Sequence, residues 1–118
     1  MEYDKNFMME VNYNYSKTML AIAKENSSKF IYASSASVYG LNKNSEEKKE
    51  NESPLNVYAE SKLLFDRYIM NQEYPAVGLR YFNVYGRGEE NKGKMASMAY
   101  KMNQEYLESK KISLFKGT

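Results

Sequence analysis

The chain has 118 residues with 12 tyrosines and neither histidine nor cysteine. Acid–base chemistry therefore has to run on phenols, amines, hydroxyls and carboxylates, because histidine, the usual proton carrier near neutral pH, is absent. The arrangement of interest is a tyrosine four residues before a lysine on a helix. One turn brings the ammonium beside the phenol, and the cation favours phenolate. Four such pairs occur: Tyr13/Lys17, Tyr39/Lys43, Tyr58/Lys62 and Tyr106/Lys110. A chain this rich in both residues gives about one or two by chance, so spacing does not choose among them. Context separates them. Tyr39/Lys43 straddles Gly40 ahead of a polar stretch. Tyr13/Lys17 has no hydroxyl cluster upstream. Tyr106/Lys110 falls at a helix end, where a lysine suits the helix dipole. Tyr58/Lys62 opens a helix and follows a strand ending in Ser34-Ser35, so a substrate oxygen could meet a serine hydroxyl and the phenol together. A plain surface pair on that helix is the competing reading.

The elements that would position these groups alternate. Met8, Val11, Tyr15, Met19 and Ile22 form an apolar stripe on a helix over residues 7–25. Lys29 to Ala33 reads as a short buried strand, and residues 41–53 as an exposed polar connection. Asn56 is placed to cap a helix that carries Ser61, Leu64, Phe65, Tyr68 and Ile69 on one side and stops before Pro75. Ala76 to Arg80 reads as a second buried strand, and Tyr81 to Asn91 as a loop. A third helix follows Gly93, with Met95, Met98, Met102 and Tyr106 in step, and Ile112 to Phe115 reads as a last strand. Each Met and Tyr stripe, taken alone, reads as core packing. The order α-β-α-β-α-β with non-alternating strands predicts an α/β fold with a parallel sheet. Catalytic groups in such folds gather beyond the carboxyl ends of strands, which here deliver Ser34-Ser35 and Asn83-Val84-Tyr85-Gly86.

Composition excludes several classes. A net charge of +2 spread along the chain leaves no electrostatic footprint for nucleic acid. The lack of cysteine and histidine removes disulfides and the commonest metal ligands, so no metal site is expected. No run reaches the roughly 18 apolar residues of a membrane span, and Met1 to Lys5 lacks a signal-peptide core, so the expected location is the cytoplasm.

Three motifs carry a family resemblance: Phe30 to Gly40 (Phe-Ile-Tyr-Ala-Ser-Ser-Ala-Ser-Val-Tyr-Gly), Tyr58-Ala59-Glu60-Ser61-Lys62, and Arg80 to Gly86 (Arg-Tyr-Phe-Asn-Val-Tyr-Gly). Together, in this order and spacing, they resemble the extended short-chain dehydrogenases/reductases that act on nucleotide sugars, the NAD-dependent epimerases and dehydratases. Pro54 to Tyr58, Leu64-Phe65-Asp66 and Asn91 to Ser97 are similar to the branch acting on ADP-linked heptoses.

The resemblance implies a partial Rossmann-like, doubly wound parallel sheet. Residues 1–90 would be the C-terminal half of an NADP-binding domain, and 91–118 the start of the nucleotide-sugar region, the chain being the middle of a longer enzyme. It implies Ser35 as the active-site hydroxyl, Tyr58 as acid/base, and Lys62 as the lysine that binds the nicotinamide ribose and lowers the phenol's pKa. Lys92 corresponds to a second acid/base. The implied cofactor is NADP, with NAD as the other possibility. Val84, Lys92 and Asn12, the last preferred over Val11, match cofactor contacts. Asn83, Lys94, Lys101, Phe115, Lys116, Gly117 and Thr118 match contacts to an ADP-heptose or other nucleotide sugar. The implied reaction inverts carbon 6 through a transient ketone, which requires proton exchange with the oxygen in two poses. Lys94 stands where the family commonly has serine, Lys101 where it has histidine, and Arg87 where proline follows Tyr-Gly. Two alternatives remain open. One is a 4-epimerase or dehydratase of another nucleotide sugar; the other is a non-catalytic piece that self-associates, since exposed sheet edges favour oligomers.

Overall fold

The computed structural model describes residues 4–114. The chain divides into two compact units, Met1–Phe82 and Asn83–Thr118. In the first, Asp4 caps the opening helix, its Oδ1 accepting from the backbone N–H groups of Asn6 (2.8 Å) and Phe7 (3.2 Å). That helix runs as α1 (Lys5–Met9), a π-type stretch (Glu10–Asn14) and α2 (Tyr15–Glu25). Strand β1 (Phe30–Ser35) follows, then a 3-10 turn (Ala36–Tyr39), a polar connection, and helix α3 (Val57–Met70). Asn56 caps α3 as its position predicts, the Oδ1 accepting from Ala59 N at 2.9 Å. Strand β2 (Ala76–Tyr81) pairs in parallel with β1, from Phe30 opposite Ala76 to Ser35 opposite Tyr81. A parallel pair joined through a helix is the crossover that the alternating pattern predicts.

The core lies between α2, α3 and one face of this two-stranded sheet. Leu20, Phe65 and Ile69 are buried, with Tyr13, Phe30, Tyr32, Tyr68 and Tyr74 packed around them. The Tyr32 and Phe65 rings meet edge to face, with centroids 4.9 Å apart, a favoured geometry because a ring's positive edge meets the negative face of the next. A second cluster joins Val38 and Tyr39 to Leu63. Gly40, at φ +59°, closes the turn beneath it; a side chain there would run into the backbone carbonyl oxygen of Ser53.

Four expectations are corrected, the last of them in the second unit. Val11, Tyr15, Met19 and Ile22 are exposed, whereas Leu20 and Ala23 are buried. Leu20 and Ala23 each lie one residue beyond Met19 and Ile22, about 100° further around the axis, and Leu20 packs on Phe65 and Ile69 of α3. The strands are covered on one face only: Ile31 (65% exposed) and Val77 (53%) face away from the helices. The strand expected at Ile112–Phe115 does not form over residues 112–114. That segment turns back on helix α4 (Met98–Ser109), where the Ser113 backbone N–H (3.1 Å) and hydroxyl (2.6 Å) donate to Glu105. Phe115 itself lies outside the described residues.

In the second unit a 3-10 stretch (Glu89–Met95), kinked at Gly93, leads into α4. Ser97 caps that helix through its hydroxyl oxygen, which accepts from Tyr100 N at 3.2 Å. None of the α4 residues is buried, so its Met98 and Tyr106 do not form the core that their spacing suggests. Met95 precedes the helix.

Candidate active site

The carboxyl end of β1 and the first turns of α3 bring three of the expected residues together. Ser35 is buried, and its oxygen accepts from the Ser37 backbone N–H (3.2 Å) and hydroxyl (2.8 Å). Its own proton is then left to donate. Lys62 reaches across to donate from Nζ to the Ala33 carbonyl at 3.0 Å, two residues before Ser35. The same nitrogen lies 5.9 Å from the centre of the Tyr58 ring. Burial pulls the Lys62 pKa below the ordinary lysine value, and the nearby Asp66 carboxylate pulls the other way. Asn12, in the π-type stretch, donates from Nδ2 to Ser61 Oγ at 3.0 Å, and the Ser61 hydroxyl donates to the Tyr58 carbonyl at 2.7 Å. Asn12 is thus tied through one serine to the backbone of Tyr58, while Val11 is exposed.

The other three tyrosine–lysine pairs sit in other surroundings. Lys17 stacks over both Tyr13 (4.7 Å) and Tyr68 (5.1 Å), and Lys110 lies over Tyr106 at 5.3 Å as the left-handed residue that ends α4. Tyr39 is buried beneath the Arg80 guanidinium, 5.0 Å away. Each of these cations lies over a ring face.

In the second unit, Asn83, Val84, Lys92, Ser97 and Lys101 line one cleft of about 300 Å³. Lys101 donates from Nζ to the Lys94 carbonyl at 2.7 Å. Lys94 therefore contributes its backbone, and its side chain is not part of that lining. Phe115, Lys116, Gly117 and Thr118 lie outside the described residues.

Two carboxylates that the sequence reading did not single out for a role organise these groups. Glu89, only 2% exposed, accepts from Lys92 Nζ (2.5 Å) on one oxygen and from Ser97 N (2.6 Å) on the other. The Lys92 hydrogen bond, with help from Ser97, holds its carboxyl below the usual carboxylate range. Composition makes Glu89-Glu90-Asn91-Lys92 look like a solvated loop, and nothing local marks one glutamate as internal. Asp66, also buried, had a signal in its spacing: Tyr58, Lys62 and Asp66 recur every four residues on α3.

The donor set at Lys62 fits a nicotinamide nucleotide. One of three ammonium N–H groups is engaged by Ala33, so the others can serve ribose hydroxyls at the β1 terminus.

A parallel α/β unit with a Tyr-x-x-x-Lys helix over a serine-ended strand defines a class, and the family comparison agrees. The profile of the NAD dependent epimerase/dehydratase family matches residues 1–118, and the chain belongs to that family. Within it, the chain is 44% identical over 121 residues to the ADP-L-glycero-D-manno-heptose-6-epimerase of Thiobacillus denitrificans, covering 99% of this chain and 36% of that protein. It is 45% identical over 127 residues to the protein of the same name from Brachyspira hyodysenteriae, covering 100% and 39%. The crystal structure of the Helicobacter pylori ADP-L-glycero-D-manno-heptose-6-epimerase matches with a TM-score of 0.85 and 40% identity, over 93% of this chain and 36% of that one. The chain thus spans less than two-fifths of the length of these relatives.

Proposed function

We propose that this chain carries the catalytic centre of an NADP-dependent epimerase that inverts C6 of the heptose in ADP-D-glycero-D-manno-heptose. The activated heptose so made is a precursor of the lipopolysaccharide core. The reaction passes through a transient 6-ketone, and residues 1–90 supply the C-terminal half of the cofactor domain while 91–118 begin the substrate region. When bound, NADP would supply hydride exchange at C6. The observation that carries the reading is the Lys62 ammonium, fixed on the Ala33 carbonyl and close to the Tyr58 ring. Tyr58, the phenol beside that ammonium, would take the proton from the C6 hydroxyl and return it. Ser35, whose hydroxyl proton is left to donate, would hydrogen-bond the same oxygen. Inversion needs the oxygen served again in a second pose, and Lys92 is the group proposed for it, with Asn83, Lys94, Lys101 and Phe115–Thr118 contacting the sugar nucleotide and Val84, Lys92 and Asn12 the cofactor.

The test is a chimera in which this chain replaces the matching segment of the Brachyspira hyodysenteriae relative, assayed for ADP-heptose epimerisation by proton NMR. The chimera is expected to be active, and Tyr58→Phe is expected to lose about 10²–10⁴-fold in kcat. Activity only at C4 of UDP-sugars, or full activity without the phenol, would overturn the reading. The 118-residue chain alone is expected to be inactive, because its sequence holds no G-x-G-x-x-G phosphate turn.

A further inference from the structure

Helix α3 presents Tyr58, Lys62 and Asp66 at steps of four, on one side of the helix. The first two belong to the proposed chemistry; Asp66 touches no group given a role in it. Its carboxylate is 4% exposed and fully engaged. Oδ1 accepts from the Tyr32 hydroxyl at 2.9 Å, and Oδ2 from the Ser34 hydroxyl at 2.8 Å and from Arg80 Nε at 3.0 Å. Ser34 and Arg80 are register partners on β1 and β2. One side chain of the helix is therefore bound to paired residues near the carboxyl ends of both strands. Tyr32 reaches it by lying across Gly78, where any side chain would meet the phenol ring.

Ser34 stands between the two strand residues that matter for the site, Ala33, which holds Lys62, and Ser35. We propose that Asp66 is a positioning residue: it docks α3 on the two strand ends, so that Lys62 meets the Ala33 carbonyl with the carboxylate one helical turn from the ammonium. Among the described residues, Tyr58 and Asp66 flank Lys62 on its own helix. Asp66 in turn meets Tyr32 on β1 and Arg80 on β2, with Glu52 bonded to the guanidinium at 2.5 Å and Tyr39 under it. Burial first, then Asp66, pushes the Tyr32 phenol up, so it remains a donor. Burial pulls Arg80 down, but its hydrogen bonds to Tyr39, Glu52 and Asp66 outweigh this and push the guanidinium up, so it remains a cation.

The catalytic consequence rests on the proposed function; the coupling itself can be read on the 118-residue chain without any activity. Lysines labelled by reductive methylation with ¹³C-formaldehyde are titrated by NMR, with Lys62 assigned through Lys62→Arg. In Asp66→Asn, Lys62 is expected to titrate lower than in the wild type, and Asp66→Glu is expected to restore part of the difference. No shift, or an upward one from looser packing, would overturn the proposal. If Asp66→Asn does not fold, the wild type decides: the ¹³C carboxyl resonance of Asp66 must show an inflection where Lys62 loses its proton, because coupled groups report each other's titration. Its absence would sink the coupling. Coupling found alongside an active Tyr58→Phe chimera would retire the proposed function and leave the role of Asp66 standing.

Discussion

Lys92 and Glu89 show how one buried carboxylate can order a segment that composition marks as solvated. Glu89 binds the lysine on one oxygen and the first backbone N–H before α4 on the other. Its pKa is depressed, chiefly by Lys92. The stabilisation it provides is present above the ordinary carboxylate range and is lost as pH falls through the lowered value. Wild type should therefore lose the downfield shift of the Ser97 amide in acid, in an NMR titration, while Glu89→Gln should show a pH-independent and weaker shift. A Ser97 amide that ignores acid in the wild type would mean that the carboxylate does not hold it. The same clamp fixes Lys92 at the cleft shared by Asn83, Val84 and Lys101, so under the role proposed for Lys92 the Glu89→Gln chimera should lose activity in the proton NMR assay.

Helix α3 is the element on which the first unit depends. Its start is set by Asn56, and replacing that cap by alanine should cost about 1 kcal/mol in urea unfolding. Its register on the sheet is set by ion pairs, because Arg80 bonds Asp66 at 3.0 Å and Glu52 at 2.5 Å with all three side chains largely buried. Removing one member of such a set leaves a buried charge uncompensated, so Arg80→Met should cost about 3–5 kcal/mol. A loss under 1 kcal/mol would show that water reaches these carboxylates. Phe65, packed edge to face on Tyr32, supplies the apolar part of the same docking.

At the scale of the molecule, 12 tyrosines resolve into different tasks. Tyr13, Tyr32, Tyr68 and Tyr74 ring the main core, Tyr39 fills the second cluster, and Tyr58 stands at the candidate centre. The sheet has two strands, and among the described residues nothing pairs with its outer edges or covers Ile31 and Val77. Open edges beside an apolar face template further pairing. We expect the 118-residue chain to self-associate, with a weight-average mass that rises with concentration in sedimentation equilibrium; a concentration-independent monomer would refute this. Calorimetric titration of the same chain with NADP should give no micromolar binding. Among the described residues no helix is long and apolar enough to cross a membrane.

The sequence by itself determined the parallel α/β order, the Asn56 cap, and the placing of Tyr58 and Lys62 one turn apart on the helix that follows the serine-ended strand. Those features are local: a cap, a helical step of four, and a strand ending in serines are written within a few residues. Only the tertiary structure decided which stripe of α2 is buried, that residues 112–114 are not a strand, and that Asp66 and Glu89 are internal. Leu20 and Ala23 are no more apolar than Met19 and Ile22 beside them, and a carboxylate in a polar stretch reads as solvated until its donors are known. Those donors, Tyr32, Ser34 and Arg80 for Asp66, come from two strands distant in the chain. Burial of a charge depends on what packs over it, and no local pattern encodes that.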